Sequence, residues 1–242
     1  MSTELEALER LITTCTRCPR LVAWREEVAR TKRASFADEI YWGRPLPGFG
    51  DPRARLVVLG LAPAAHGGNR TGRIFTGDRS GDWLFRSLHT AGYANQPTSV
   101  HRDDGLRLSD AWICAAVRCA PPANKPTPAE RDTCLPYFVR ELELLGRAEV
   151  IVCLGSFAWD AALRSLRDLG HTASPKPRFS HGSEACIGPY TLIGSYHPSQ
   201  QNTFTGRLTE PMLDAVLLRA RSLADLPPAG QRARSRLRAG GD

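Results

Sequence analysis

Residues 56–82 read LVVLGLAPAAHGGNRTGRIFTGDRSGD, and the reading of this stretch decides the fold. Leu56 to Leu61 is a short apolar run rich in Val and Leu, the pattern of a parallel strand buried on both faces. The run ends in Gly60, Pro63, Gly67, Gly68, Gly72 and Gly77, too many breakers for a continuing helix or strand. A buried strand opening into a Gly-rich loop is how an α/β fold builds a site at the carboxyl edge of its sheet. The loop carries His66, Asn69, Arg70, Thr71, Arg73, Thr76 and Asp78, and a helix follows from about Ser80. It is neither a Walker phosphate loop, since no Gly-Lys-Ser/Thr follows, nor a dinucleotide fingerprint, since GxGxxG is absent. Glycines let a ligand approach the backbone, and Phe75 is placed to stack on a flat ring. Asp78 is the only carboxylate between Leu56 and Arg79, which makes it the first candidate for base or charge stabiliser. Asp before a helix is also a common cap, so a purely structural role competes.

Working outward, further strands are expected at Ala111 to Val117, Val150 to Leu154 and Tyr190 to Tyr196. Helices are expected at Leu5 to Ile12, Leu21 to Arg30, Asp82 to Ala91, Thr127 to Leu145, Phe157 to Leu169 and Leu208 to Leu223. The fourth opens with Thr127, Pro128 and Glu130, the signature of a capping box with Pro in the first turn. Residues 31–54 read as an irregular surface wrap, and 170–188 as a loop or hairpin. Strands alternating with helices predict an α/β chain with a four-stranded parallel sheet between helical layers. Three strand ends carry chemistry: the Gly-rich loop, the segment from Cys119 to Asn124, and His197 with the residues after it. Such ends share one sheet edge, so Asp78, Asn124 and His197 are expected in one crevice.

The chain has 242 residues, enough for a single α/β domain over 1–225. No run of about 18 apolar residues suggests a membrane span, and the start, MSTELEALER, has no signal-peptide pattern, so a cytoplasmic monomer is expected. The net charge is +7, with only three lysines, Lys32, Lys125 and Lys176, among 32 basic residues. Residues 226–242 hold four arginines and one Asp, a net +3, and read as a disordered basic tail able to attract a polyanion. The charge permits nucleic acid without establishing it.

Seven cysteines, an odd number in a chain of cytosolic character, argue against a disulfide framework. Cys114 and Cys153 sit inside apolar strands and read as core. Cys15 and Cys18 have the spacing of two ligands on one metal or cluster, and Cys119 and Cys134 would complete four thiolates. Four cysteines suit either a 4Fe–4S cluster or structural zinc. The wide second pair favours the cluster.

With those residues in place, the chain resembles the family 5 (type B) uracil-DNA glycosylases from about Thr14 to Ala224. The resemblance rests on GLAPAAHGGNRTGRIFTGD (Gly60 to Asp78), CAPPANKPTP (Cys119 to Pro128), SYHPSQQNTFTGRLT (Ser195 to Thr209) and the Cys-x-x-Cys segment at Cys15 to Val22. It implies an α/β/α fold and a structural 4Fe–4S cluster on Cys15, Cys18, Cys119 and Cys134. It also implies removal of uracil, with hypoxanthine and xanthine as further targets, from DNA. Many relatives outside this family carry Asp or Glu where this chain has Ala62, so water activation passes to Asp78. Relatives strict for uracil carry Asn where this chain has Ala115, so a roomier pocket is expected.

The implied chemistry assigns the remaining groups. Backbone amides around Gly60, Leu61 and Ala62 would hold the polar edge of a flipped base stacked on Phe75. His197 would stabilise the leaving base, and Asn124 would orient the water or the sugar. Asn202 would hold the base or a phosphate, and Arg207 in the same motif is a DNA contact. His66 and Asn69 are ambiguous between scaffold and base contact. With only Lys125 near the motifs, a covalent lysine route is disfavoured. The rivals are a uracil-DNA-binding module that has lost hydrolysis and an iron–sulfur electron carrier. The inserted basic loop of non-hydrolytic relatives is missing here, which favours turnover.

Overall fold

The computed structural model describes residues 3–225, so the basic segment 226–242 lies outside the described residues. Its centre is four parallel strands. They are β2 (Leu56–Gly60), β3 (Ala111–Ala115), β4 (Val150–Leu154) and β6 (Tyr190–Ser195), and every residue in them is buried. Burial on both faces is why these segments are continuous apolar runs. Pairing continues past β3, where the amides of Ala116 and Val117 donate to the carbonyls of Gly60 and Leu61.

The sheet has six strands, not four. The two-residue β1 (Phe49–Gly50) pairs antiparallel with β3, and β5 (Glu184–Ile187) pairs antiparallel with β6. The order is β1-β3-β2-β4-β6-β5. The first edge escaped the sequence, while β5 falls in the segment 170–188 read as a loop or hairpin and does form a hairpin with β6. β1 is too short to show a period, and β5 is mostly open to solvent.

Alternate strand residues feed two cores. Leu56, Val58, Ile113 and Val152 pack with α4 (Arg79–Thr90) and α8 (Glu210–Ala224). Val57, Leu59, Ile151 and Cys153 pack on the other face with α5 (Pro128–Leu144) and α6 (Ser156–Asp168). Helix α1 (Thr3–Thr13) leans on α5, and α2 (Pro19–Thr31) carries the N-terminal Cys pair toward Cys119. The α5 capping box is formed: Thr127 Oγ1 accepts from the Glu130 amide at 3.2 Å, and the Thr127 amide donates to Glu130 Oε2 at 2.7 Å. Two short helices, α3 (Gly68–Thr71) and α7 (Gln200–Phe204), were not foreseen. Single turns of this length have too little local signal and are held by the surrounding fold.

The chain leaves β2 toward β3 on one side, and β4 leads to β6 on the other. The switch point therefore lies at the carboxyl ends of β2 and β4, where open α/β sheets bind ligands.

Candidate active site

Gly60 ends β2, and a Cβ placed there would lie 2.8 Å from two ring carbons of Phe75. The Phe75 ring thus rests directly on the Gly60 backbone, which only glycine permits. Phe75 is buried, with φ of +53°, an unfavourable conformation for a bulky residue. Strain of this kind persists where surrounding structure over-determines it, commonly at functional sites. His197, two residues after β6, brings its ring centroid to 5.9 Å from that of Phe75 at 34°. Its Cβ also lies 3.6 Å from where a Cβ on Gly155, just beyond β4, would be. The ends of β2, β4 and β6 therefore meet at one point.

His197 Nδ1 is buried without a partner among the described residues. Desolvation pushes its pKa down to about 4, so the imidazole is neutral at pH 7. The Asn202 side-chain amide donates to the His197 carbonyl at 2.9 Å, and the Asn202 carbonyl accepts from the Leu208 amide at 3.0 Å. One N–H of the Asn202 side chain thus holds the His197 loop, while its second N–H and its oxygen are not used in that bond.

Asp78 caps α4: its Oδ1 accepts from the Gly81 amide at 3.0 Å. Its other oxygen crowds Gly67, where a Cβ would come within 2.1 Å of Oδ2. Desolvation raises its pKa above the usual carboxylate value, opposed by the Gly81 and Ser80 amides and by Arg70, while Asp82 adds to the rise. Arg70 holds the loop closed, with Nε donating to the His66 carbonyl at 2.8 Å and Nη2 to the Gly77 carbonyl at 3.0 Å. The Tyr41 hydroxyl bonds His66 Nδ1 at 3.0 Å, and desolvation, then Arg33 and Arg70, lower the His66 pKa. Asn69 is fully buried and donates to the Arg25 carbonyl at 3.1 Å, which makes it scaffold.

A buried polar network lies behind this loop. Arg73 pairs with Asp104 at 2.8 Å and donates to Ser99 Oγ at 2.8 Å, and Ser99 meets Thr76 at 2.7 Å. Ser99 and Asp104 come from the polar stretch between α4 and β3, and no local pattern ties Arg73 to Asp104.

Ala115 is buried at the end of β3, directly opposite Gly60. Among the described residues, the amides of Leu61 and Ala62 donate to no protein acceptor. Asn124 is exposed, with φ of +54°, in a turn closed by backbone bonds from its own amide to Pro121 and from Lys125 to Pro122. Among the described residues its side chain has no hydrogen-bond partner, so it makes no Asx-turn. It shares the sheet edge of Asp78 and His197 without bonding either. Arg207 is exposed and lies over the Tyr196 ring at 4.5 Å.

The four candidate ligand cysteines are neighbours. Cys119 and Cys134 share a small buried cluster with Leu21 and Val117, and Cys18, Ala62 and Phe157 pack against it. Burial raises the pKa of Cys18, Cys119 and Cys134, pushing Cys119 up to about 12, and the charge of Cys15 adds to each rise. The buried Arg25 donates from Nη1 to Cys119 Sγ at 3.0 Å and to the Cys15 carbonyl at 3.1 Å, and its Nε is buried with no partner. Among the described residues no three His, Cys, Asp or Glu side chains converge as a ready coordination shell. The donor set nevertheless fits a thiolate-bound centre, since the buried Arg25 guanidinium donates directly to the Cys119 sulfur and Cys134 shares that buried cluster.

Two cavities lie away from this edge. One of about 420 Å³ runs between α8 and the β5–β6 hairpin, and one of about 200 Å³ lies beside α6.

A strained aromatic, a neutral histidine and a carboxyl whose pKa is raised by burial thus lie at the switch point of a doubly wound α/β sheet, the edge where such folds bind ligands. The family is fixed by comparison. The uracil DNA glycosylase superfamily model matches residues 47–221. A type-5 uracil-DNA glycosylase of Mycobacterium tuberculosis is 57% identical over 90% of this chain and 81% of its own length. One of Thermus thermophilus is 52% identical over 91% of this chain and 99% of its own. A type-4 uracil-DNA glycosylase of Archaeoglobus fulgidus is 37% identical over 47% of this chain and 49% of its own. The chain belongs to the uracil-DNA glycosylase superfamily, alongside the type-5 enzymes. No helix among the described residues is long and apolar enough to cross a membrane.

Proposed function

We propose that this protein is a monofunctional DNA glycosylase that flips uracil out of DNA and hydrolyses its glycosidic bond, and that it also takes hypoxanthine and xanthine. The observation that carries this reading is the packing of Phe75 on Gly60 beside His197, with Asp78 three residues further along the same loop. Flipping is needed because the bond is hidden in the duplex, and a mispaired base is the least costly to extrude.

Phe75 offers its face to the base, and the free amides of Leu61 and Ala62 meet the polar edge. Cleavage builds positive charge on the sugar and negative charge on the departing base. The Asp78 carboxylate stabilises the sugar cation and takes a proton from the water that attacks C1′. The electron pair of the C1′–N bond leaves with the base, which accepts a hydrogen bond from neutral His197. A proton on Nε2 would leave Nδ1 as the buried acceptor without a partner. Exposed and unpartnered, Asn124 is free to reach the sugar or the water when DNA docks. Asn202 acts through the His197 loop.

The reading is tested by alkali-induced scission of labelled oligonucleotides holding one uracil or one hypoxanthine. Scission of both, only after alkali, is expected. Retention of uracil DNA without cutting would leave a binding module. The base range depends on Ala115, whose small side chain leaves room beside Gly60. Ala115→Asn is expected to raise the preference for uracil over hypoxanthine by at least about tenfold, read as a ratio of kcat/KM values.

Cys15, Cys18, Cys119 and Cys134 are assigned as ligands of a 4Fe–4S cluster. When bound, it supplies a structural crosslink and no step of the hydrolysis. Cys119 and Cys134 pack against Ala62, and Arg25 links Cys119 to Asn69, so order among the thiolates is transmitted to the base-binding loop. Purified protein is expected to contain about four irons and matching acid-labile sulfide per chain, with both lost in Cys119→Ser. Zinc in their place would overturn the assignment.

A further inference from the structure

The sheet ends in the two-residue β1 on one side and in β5 on the other. The Gly194 amide donates to the Ser183 carbonyl at 2.8 Å, so Ser183 faces β6. Alternation along an antiparallel ladder then turns Ala185 and Ile187 toward β6, and the N–H and C=O groups of Glu184 and Cys186 outward. Among the described residues, no backbone bond outside the β6 ladder involves residues 184–187. Sheet edges are ordinarily protected by Pro, Lys, a bulge or a covering element. Residues 184–187 contain no Pro or Lys, and both Glu184 and Cys186 are exposed. The one charge, Glu184, is drawn off the edge by Arg219 of α8, which donates to its two oxygens at 2.7 and 3.0 Å.

The two cavities away from the strand-end site both reach this strand, one on each face of the sheet. Glu184 lines the 420 Å³ cavity, whose wall is apolar through Ile193, Met212 and Val216. Ile187 lines the 200 Å³ cavity, where Arg164, Arg167 and Lys176 stand against a single carboxylate, Asp160. Lys176 already holds Asp160 at 2.7 Å, and Asp168 reaches Arg167 only at 3.7 Å. These pairs are exposed and contribute little, so the groove keeps a positive excess. A strand laid along β5 would send successive side chains to opposite faces. One set would enter the apolar groove and the other the basic one.

We propose that β5 is a docking strand for another protein, whose extended acidic segment adds to the sheet as a seventh strand. Its apolar side chains fill the α8 groove, and the acidic ones between them meet Arg164 and Arg167 in the α6 groove. Main-chain bonds to Glu184 and Cys186 supply affinity, and the two grooves supply selectivity. The inference is independent of the glycosylase reading, since it uses none of the residues at the strand-end site.

The probe is a fluorescein-labelled peptide of alternating Val and Glu, about ten residues long, read by anisotropy against the full chain. Saturable binding is expected. N-methylation of either the Val or the Glu nitrogens, but not of both sets alike, should weaken it by about tenfold or more, since only alternate N–H groups face β5. The same loss is expected in Arg164→Glu/Arg167→Glu, through like-charge repulsion. Cys186→Pro removes one outward donor at a position where edge strands tolerate Pro, and should weaken binding with the melting temperature unchanged. Should that variant fail to fold, the N-methylated peptides give the same test on unaltered protein. No saturable binding, or equal binding of both N-methylated peptides, would overturn strand addition. So would equal binding of a peptide with the same residues arranged as one Val block and one Glu block. Undiminished binding to Arg164→Glu/Arg167→Glu would overturn the acidic occupant. If the chain alone sediments as a dimer that Cys186→Pro dissociates, the edge belongs to a second copy. If duplex DNA without uracil displaces the peptide, the basic groove is a nucleic-acid contact. Either result overturns the protein partner.

Discussion

Asp78→Asn is expected to slow uracil excision by a hundredfold or more at pH 7, the range set by removing a positioned general base. The substitution is informative because Asp78 demonstrably does something else: its Oδ1 caps α4 through the Gly81 amide. Asn caps about as well as Asp, so the helix start survives and only the ionisable oxygen is lost. A residue that merely capped would tolerate the change. The environment adds a pH signature. Desolvation raises the folded-state pKa of Asp78 above its unfolded value. The ionised base is present only above that raised value, so wild-type kcat/KM should fall as pH drops through it, and the variant should lose this acid limb. Linkage gives the matching stability result. A carboxyl that binds its proton more tightly when folded favours the native state at low pH and weakens it as pH rises through the folded pKa. At neutral pH the amide escapes that penalty, so the variant should unfold at the same or a higher urea midpoint. Slow turnover with undiminished stability is the expected pair of results. Loss of both would return Asp78 to a structural role.

What the sequence made legible follows from how each element is stabilised. Strands β2, β3, β4 and β6 are buried on both faces, so their residues are all apolar and their positions plain. The α5 start is a local hydrogen-bond pattern of Thr127 and Glu130, readable without tertiary knowledge. Asp78 and His197 were legible because strand ends in an α/β sheet share an edge. Asn202 and Asn69 were not, since a polar side chain in a loop reads alike whether it faces ligand or holds backbone, and only the fold places the His197 and Arg25 carbonyls within reach. The same holds for Arg73 and Asp104, which are 31 positions apart in the chain.

Glu141→Ala is expected to destabilise the protein by about 3–5 kcal/mol, the cost of leaving a buried charge without its partner. Arg118 and Glu141 are 1% and 2% exposed and form a bidentate pair, with Nη1 to Oε1 at 2.9 Å and Nη2 to Oε2 at 2.5 Å. Desolvation alone would lower the Arg118 pKa, but the charge and hydrogen bonds of Glu141, together with Cys114 and Cys134, outweigh it and hold the guanidinium ionised. Glu141 Oε1 also accepts from the Gly48 amide at 3.0 Å, so truncation strands a second buried donor. The double variant Arg118→Met/Glu141→Leu should recover much of the loss, because two apolar side chains carry no charge to desolvate. The single and double variants are compared by urea midpoint. The pair matters beyond stability because of where it sits. Arg118 precedes Cys119, Glu141 lies two turns beyond Cys134 on α5, and the Leu46 amide donates to the Arg118 carbonyl at 2.8 Å. It therefore fixes the two later cysteines relative to each other before any ligand arrives. Glu141→Ala should lower the iron content of purified protein, while the apolar double variant, with backbone register retained, should keep it. If both variants retain iron and the single substitution costs less than about 1 kcal/mol, well below the usual cost of an orphaned buried charge, the ion pair has no organising role.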